Sequence, residues 1–190
     1  MTDPTAIRRV LEFWFGAPYD PARDETRKAW WRKNAGFDAR ISLRFGALHD
    51  EAGLGELDDW QADAEGCLAL VILLDQFSRN LYRGDARSWV NDAGALAVAR
   101  HSIATGFGQE RVSVERGFLY MPFMHSESMV IHEQAMMLFS APGLEDNLRA
   151  ERQHLEILKR FGRYPHRNEV LLRPTTAEES AFLRNEGRGF

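Results

Sequence analysis

The stretch LALVILLDQFSRNLYRG carries an unbroken apolar run at 68–74 and then turns abruptly polar. As a helix, that run is apolar on every side, so it must have neighbours on several sides and sit centrally. The rest of the chain supplies such neighbours. Asp3 and Pro4 form an N-cap and first-turn pair ahead of Ile7, Val10, Leu11 and Trp14, which follow helical spacing. Asp20 and Pro21 repeat the device and predict a helix over DPARDETRKAWW. Phe37, Ile41, Phe45, Leu48 and Ala52 make one stripe of a further helix, stopped by Gly53 and Gly55. Ala93, Gly94, Ala95, Ala97 and Ala99 give another helix a small-residue surface that lets a neighbour approach closely.

SVERGFLYMPFMHSESMVIHEQAMMLFS reads as two helices broken near Met121 and Pro122, because proline disfavours helix in the residue before it. A long helix then ends at Gly162 and Pro165, and Thr176 with Glu179 has the spacing of a capping box. Val112 and Val114 are too short a pattern to count as a strand. The expectation is an all-α fold of about eight to ten helices, built as stacked antiparallel helix hairpins. Residues 1–190 form one domain, with Leu70, Val71, Leu74 and Phe77 in its core.

Composition excludes several classes of function. The net charge of -4, with no block of lysine and arginine, argues against nucleic acid as a partner. No apolar run approaches the roughly 18 residues that cross a bilayer, so no membrane span is expected. Asp3 stands where a signal peptide would be basic, which points to the cytoplasm. The lone cysteine, Cys67, cannot form an internal disulfide; beside the apolar run it reads as buried and inert.

Three polar clusters lack an obvious reason. Asp75 and Arg79 are four apart, acid first, as are Gln76 and Asn80 on the adjacent stripe. They extend rows that begin as core, so they either pair as a buried tie between helices or face a pocket. In the second cluster, His125 and Glu127 follow Pro122, and Ser126 or Ser128 could cap the next helix, whose free N–H groups suit an anion. In the third, Arg163, His166, Arg167 and Asn168 surround Tyr164 and Pro165, and arginine forks suit carboxylate or phosphate. A solvated basic turn at a helix C-terminus explains them equally well. Single His154 reads as structural, and the early aromatics Phe13, Trp14, Phe15, Trp30 and Trp31 read as packing between helices. No nucleophile elbow, phosphate loop, dinucleotide fingerprint or zinc pattern is present.

Four segments in order, VLEFWFG, LLDQFSRNLYRG, FLYMPFMHSES and RFGRYPHRN, resemble the bacterial domain-of-unknown-function 924 family. The resemblance runs from Val10 to the terminal FLRNEGRGF. It implies a tetratricopeptide-like helical fold, although that repeat's own consensus does not recur at its period of about 34 residues. It implies no particular reaction. The family's motifs coincide with the three polar clusters, so the clusters are expected to converge on one site. On that reading Asp75, Gln76, Arg79, Asn80, Arg163, Arg167 and Asn168 bind a small anionic molecule. His125, Glu127 and His166 supply acid–base groups, and no metal or cofactor is called for. The alternative is a protein-interaction scaffold in which the same residues are struts between helices. The sequence leaves the oligomeric state open.

Overall fold

The computed structural model describes residues 3–109 and 111–185; residues 186–190 of the terminal FLRNEGRGF segment lie outside the described residues. In chain order the helices are α1 (Pro4–Phe15), α2 (Lys28–Trp31), α3 (Ala35–Gly53), α4 (Ala64–Val71), a π-helical segment (Ile72–Phe77), α5 (Ser78–Leu81), α6 (Asp92–Ala104), α7 (Ser113–Met124), α8 (Met129–Phe139), α9 (Glu145–Phe161) and α10 (Ala177–Asn185). Among the described residues there is no strand, and the fold is all-α.

The apolar run is the axis of the molecule. Every residue from 68 to 74 is buried, and so is Phe77. α4 packs on α1, α6 and α7, while the π segment adds α3, as a helix without a polar face requires. At the entry to α4, Asp63 accepts from the Gly66 N–H at 2.9 Å. A Cβ on Gly66 would stand 1.9 Å from the Trp60 carbonyl oxygen, so only glycine admits that approach. The early aromatics close the other end of the core. Trp14 stacks on Trp30 at 5.8 Å, and Phe77 meets Phe45 at 5.2 Å. Trp30 Nε1 donates to the Trp14 carbonyl at 3.2 Å, which satisfies the indole within its packing.

Local signals fixed several helix ends. The Asp3 carboxylate accepts from Thr5 and Ala6 at the start of α1. Thr176 N donates to Glu179 Oε2 at 2.7 Å and Glu179 N to Thr176 Oγ1 at 3.1 Å, a reciprocal capping box on α10. Two expectations are corrected. Asp20 does cap through Ala22 N, but it opens only a 3-10 turn (Pro21–Asp24), followed by the four-residue α2. That segment has no continuous apolar stripe to bury, and its Arg23 turns inward to Glu115 at 2.8 Å instead. Nor does Pro122 break the helix. α7 continues through it to Met124, because Phe118, Leu119, Met121, Phe123 and Met124 are all buried and hold the segment helical. Proline's fixed φ is itself compatible with a helix. The break falls at His125 and the residues after it.

Candidate functional site

The polar end of the apolar run begins at the π segment. Its wider turn leaves carbonyls for side chains to satisfy. Ser78 Oγ donates to the Leu74 carbonyl at 2.6 Å, and Arg79 Nη1 to the Asp75 carbonyl at 2.8 Å. The Asp75 side chain is fully buried and fully engaged. Its Oδ1 meets Arg79 Nη1 at 2.9 Å and His125 Nδ1 at 2.7 Å, and its Oδ2 accepts from Gln76 Nε2 at 2.6 Å. Burial pushes this carboxyl upward, but Arg79, His125 and Gln76 together outweigh it and hold the pKa down at about 2.

These contacts belong to a closed ring of groups. Arg79 Nη2 lies 3.0 Å from Asp92 Oδ1, at the first residue of α6. Asp92 Oδ2 lies 3.2 Å from Arg167 Nη1. Arg167 Nη2 donates at 2.8 Å to the carbonyl of His125, whose ring returns to Asp75. The Arg167 guanidinium sits between the rings of Trp89 (5.4 Å) and Tyr164 (4.9 Å). Five parts of the chain are thereby pinned together: the π segment, α5, the start of α6, the end of α7 and the 3-10 turn Pro165–Arg167. Desolvation lowers the Arg167 pKa from its ordinary value, with Asp92 opposing it. A guanidinium remains charged at neutral pH regardless.

Beside this ring lies a cavity of about 420 Å³, lined by Lys33, Arg79, Arg83, Gly84, Ser88, Trp89, His125, His154, Tyr164, His166 and Arg167. Every titratable side chain on that wall other than the tyrosine is basic. The carboxylates that offset them, Asp75 and Asp92, stand behind the wall. Facing a carboxylate, His125 Nδ1 must donate when the ring is neutral, which leaves Nε2 as an acceptor with no protein partner among the described residues. His154 and His166 are both pushed down to about 4, chiefly by burial, with Arg167 adding to the effect on His166. Both are therefore neutral imidazoles at neutral pH.

Of the ten residues singled out in the sequence, Arg79, His125, His166 and Arg167 line the cavity, and Asp75 and Gln76 support them from behind. The other four act elsewhere. Asn80 Nδ2 donates to Asp38 on α3 at 2.7 Å. Glu127 takes Arg173 at 2.7 Å and the Tyr164 N–H at 2.7 Å. Arg163 binds Glu179 at 2.7 Å, and buried Asn168 accepts from Arg173 at 3.0 Å. Asn80 thus ties α5 to α3, Glu127 ties the turn after α7 to the chain's last third, and Arg163 and Asn168 hold that third to itself; none of the four is on the cavity wall.

Sequence reasoning missed Lys33, Arg83, Trp89, Asp92 and Arg173. An acid in the first turn of a helix is commonplace, so nothing marked Asp92 as the bridge between two arginines. A second constellation carries less than its residue types suggest. His49 lies 2.8 Å from Ser78 Oγ and 3.4 Å from Asp50. Ser78 is fully buried, however, and gives its proton to the Leu74 carbonyl, so it is no exposed nucleophile. Cys67 is buried with its thiol pushed up to about 11 by desolvation, which suppresses the reactive thiolate. Among the described residues no group of three or more His, Cys, Asp or Glu side chains is placed to hold a metal ion.

The features assembled so far define a class, an all-α protein whose helix ends enclose a basic cavity beside a π-helical turn. The chain belongs to a bacterial protein family of unknown function, DUF924, which matches residues 10–187. It is also similar to a solved structure, a protein of unknown function from Agrobacterium tumefaciens. The two share 38% sequence identity with a TM-score of 0.85, over 95% of this chain and 98% of the other. No curated protein matches it. No helix among the described residues is long and apolar enough to cross a membrane.

Proposed function

We propose that the cavity binds a small anionic molecule and that His125 is the group placed for acid–base chemistry on it. The reading rests on the lining: lysine, arginine and histidine face the space, and no carboxylate does. Asp75 fixes the His125 tautomer from behind, so Nε2 is available to take or give a proton. Buried, unpaired Cys67 fits the reducing cytoplasm. Thermal-shift measurements with inorganic phosphate and small carboxylates test the binding. An anion at about 100 times its dissociation constant should add roughly 2.7 kcal/mol of stability. That gain should shrink as salt rises, though less steeply than for an exposed site. Absence of a shift with every anion tried overturns the reading.

A second reading keeps the tetratricopeptide-like scaffold. It is favoured by the apolar groove between α6 and α8, formed by Ile103, Phe123, Met137 and Leu138, in which Met137 is 69% exposed. On that reading Met137→Glu would abolish capture of a protein partner and leave the anion response untouched.

A further inference from the structure

The basic wall accounts for a ligand's charge but not for the rest of the cavity. Lys33 and Arg83 come from the α3–α5 side, where Arg83 is anchored on Asp38 at 2.8 Å. Lys33 is exposed and makes no ion pair or hydrogen bond with any described residue. The part of the wall contributed by α9 and the turn after it differs in kind. There Tyr164 stacks with His166 at 5.6 Å and 28°, and His154 meets the Tyr164 ring edge-on at 5.6 Å. Trp89 completes this side and covers Arg167.

Two polar features of the cavity lack a use within the protein. The largely buried His166 makes ring contacts, but neither of its ring nitrogens has a hydrogen-bond partner among the described residues. His125 Nε2 is likewise unpartnered on the same cavity. A desolvated imidazole without a partner carries a cost that a bound donor or acceptor removes. The Tyr164 ring is buried between His166 and Arg167, so the ring left to meet a ligand is the partly exposed Trp89. A flat face beside such nitrogens suits a flat ligand that itself hydrogen-bonds in its plane. An aliphatic acid would leave both the ring face and the nitrogens unmatched. A large apolar ligand would leave the nitrogens unmatched.

We propose that the ligand is a planar heteroaromatic anion, with its acidic group toward Arg79 and Lys33, its ring against Trp89 and its edge hydrogen-bonded to His166. The inference rests on the anion-binding reading above and narrows it. The cavity's volume of about 420 Å³ lies within the range of small-molecule sites and admits a ring bearing one acidic group.

The test uses the full chain and four probes in titration calorimetry: inorganic phosphate, cyclohexanecarboxylate, benzoate and nicotinate. Benzoate should bind about fivefold tighter than the saturated acid of the same size, within the worth of an aromatic contact. Nicotinate, with a ring nitrogen to meet His166, should bind about fivefold tighter again. His166→Phe keeps a ring and removes the nitrogens. It should preserve benzoate's advantage over cyclohexanecarboxylate and erase nicotinate's advantage over benzoate. Trp89→Ala, with folding verified by its melting curve, should weaken both aromatic acids and erase benzoate's advantage over cyclohexanecarboxylate. If the three carboxylates bind alike, the ring inference is overturned while anion binding stands. Retention of nicotinate's advantage in His166→Phe overturns the role of His166. Should none of the four probes bind, the anion reading falls and takes this one with it.

Discussion

Asp75 is the residue on which the polar network turns. Its spacing to Arg79 was legible in the sequence, because residues four apart share a helix face. Its bond to His125, fifty positions away, was not, since no local rule links two turns so far apart. Removing the carboxylate takes the buried partner from His125 and leaves Arg79 with Asp92 alone. Asp75→Ala should therefore destabilise the fold by about 3 kcal/mol in denaturant melts. A change of about 1 kcal/mol or less would instead describe a solvated surface pair. The pH dependence has a definite sign. The folded carboxyl is held at about 2, below its ordinary 3.8. The unfolded chain therefore binds the proton first, and the stabilisation is complete above about pH 4 to 5. It is lost as pH falls through the folded pKa near 2. The gap in stability between the wild type and Asp75→Ala should accordingly narrow between pH 4 and pH 2. A gap that stays constant over that range would mean that Asp75 acts by packing and not by charge.

Among the elements, the sequence was readable where a short-range rule decides, and misleading where burial overrides one. The capping box at Thr176 and Glu179 needs only four residues and formed as expected. The π segment has no such signature. Its residues ILLDQF suit an α-helix equally well, and only the surrounding packing selects the wider turn. That turn in turn decides which carbonyls Ser78 and Arg79 cap. Pro122 shows the opposite case, a strong local signal overruled by buried neighbours on both sides. Proline inside a helix denies the carbonyl four residues earlier its donor, at a cost of about 3 kcal/mol when fully interior. Pro122→Ala would restore the bond to the Phe118 carbonyl while giving up part of a buried ring. The expected balance is a gain of about 1 kcal/mol, read as a higher denaturant midpoint at unchanged slope. A loss of stability would show that the ring's packing outweighs the missing bond.

Across the whole molecule, three motif clusters far apart in the chain contribute to one region, yet their members divide between two tasks. Composition and spacing could name the clusters because polar residues there interrupt rows of core. They could not divide Arg163 from Arg167, which stand four apart in a single turn. Arg167 turns toward Asp92 and the cavity, while Arg163 turns away to Glu179. That difference depends on where α6 and α10 pack, which is a tertiary fact. The same fact supplies a crossed test of site against strut. Lys33 is exposed on the cavity wall and makes no hydrogen bond or ion pair with any described residue, so Lys33→Ala should leave the melting temperature unchanged and weaken phosphate binding severalfold. Arg163→Ala removes the hydrogen bonds to Glu179 and to the Pro174 carbonyl but touches no part of the cavity. It should lower the melting temperature, while the folded protein binds phosphate with wild-type affinity. Both groups stand well apart in role, so the double variant should show the sum of the two effects. If Lys33→Ala instead destabilises the fold with no change in binding, and Arg163→Ala weakens binding, the division drawn between cavity and strut is reversed.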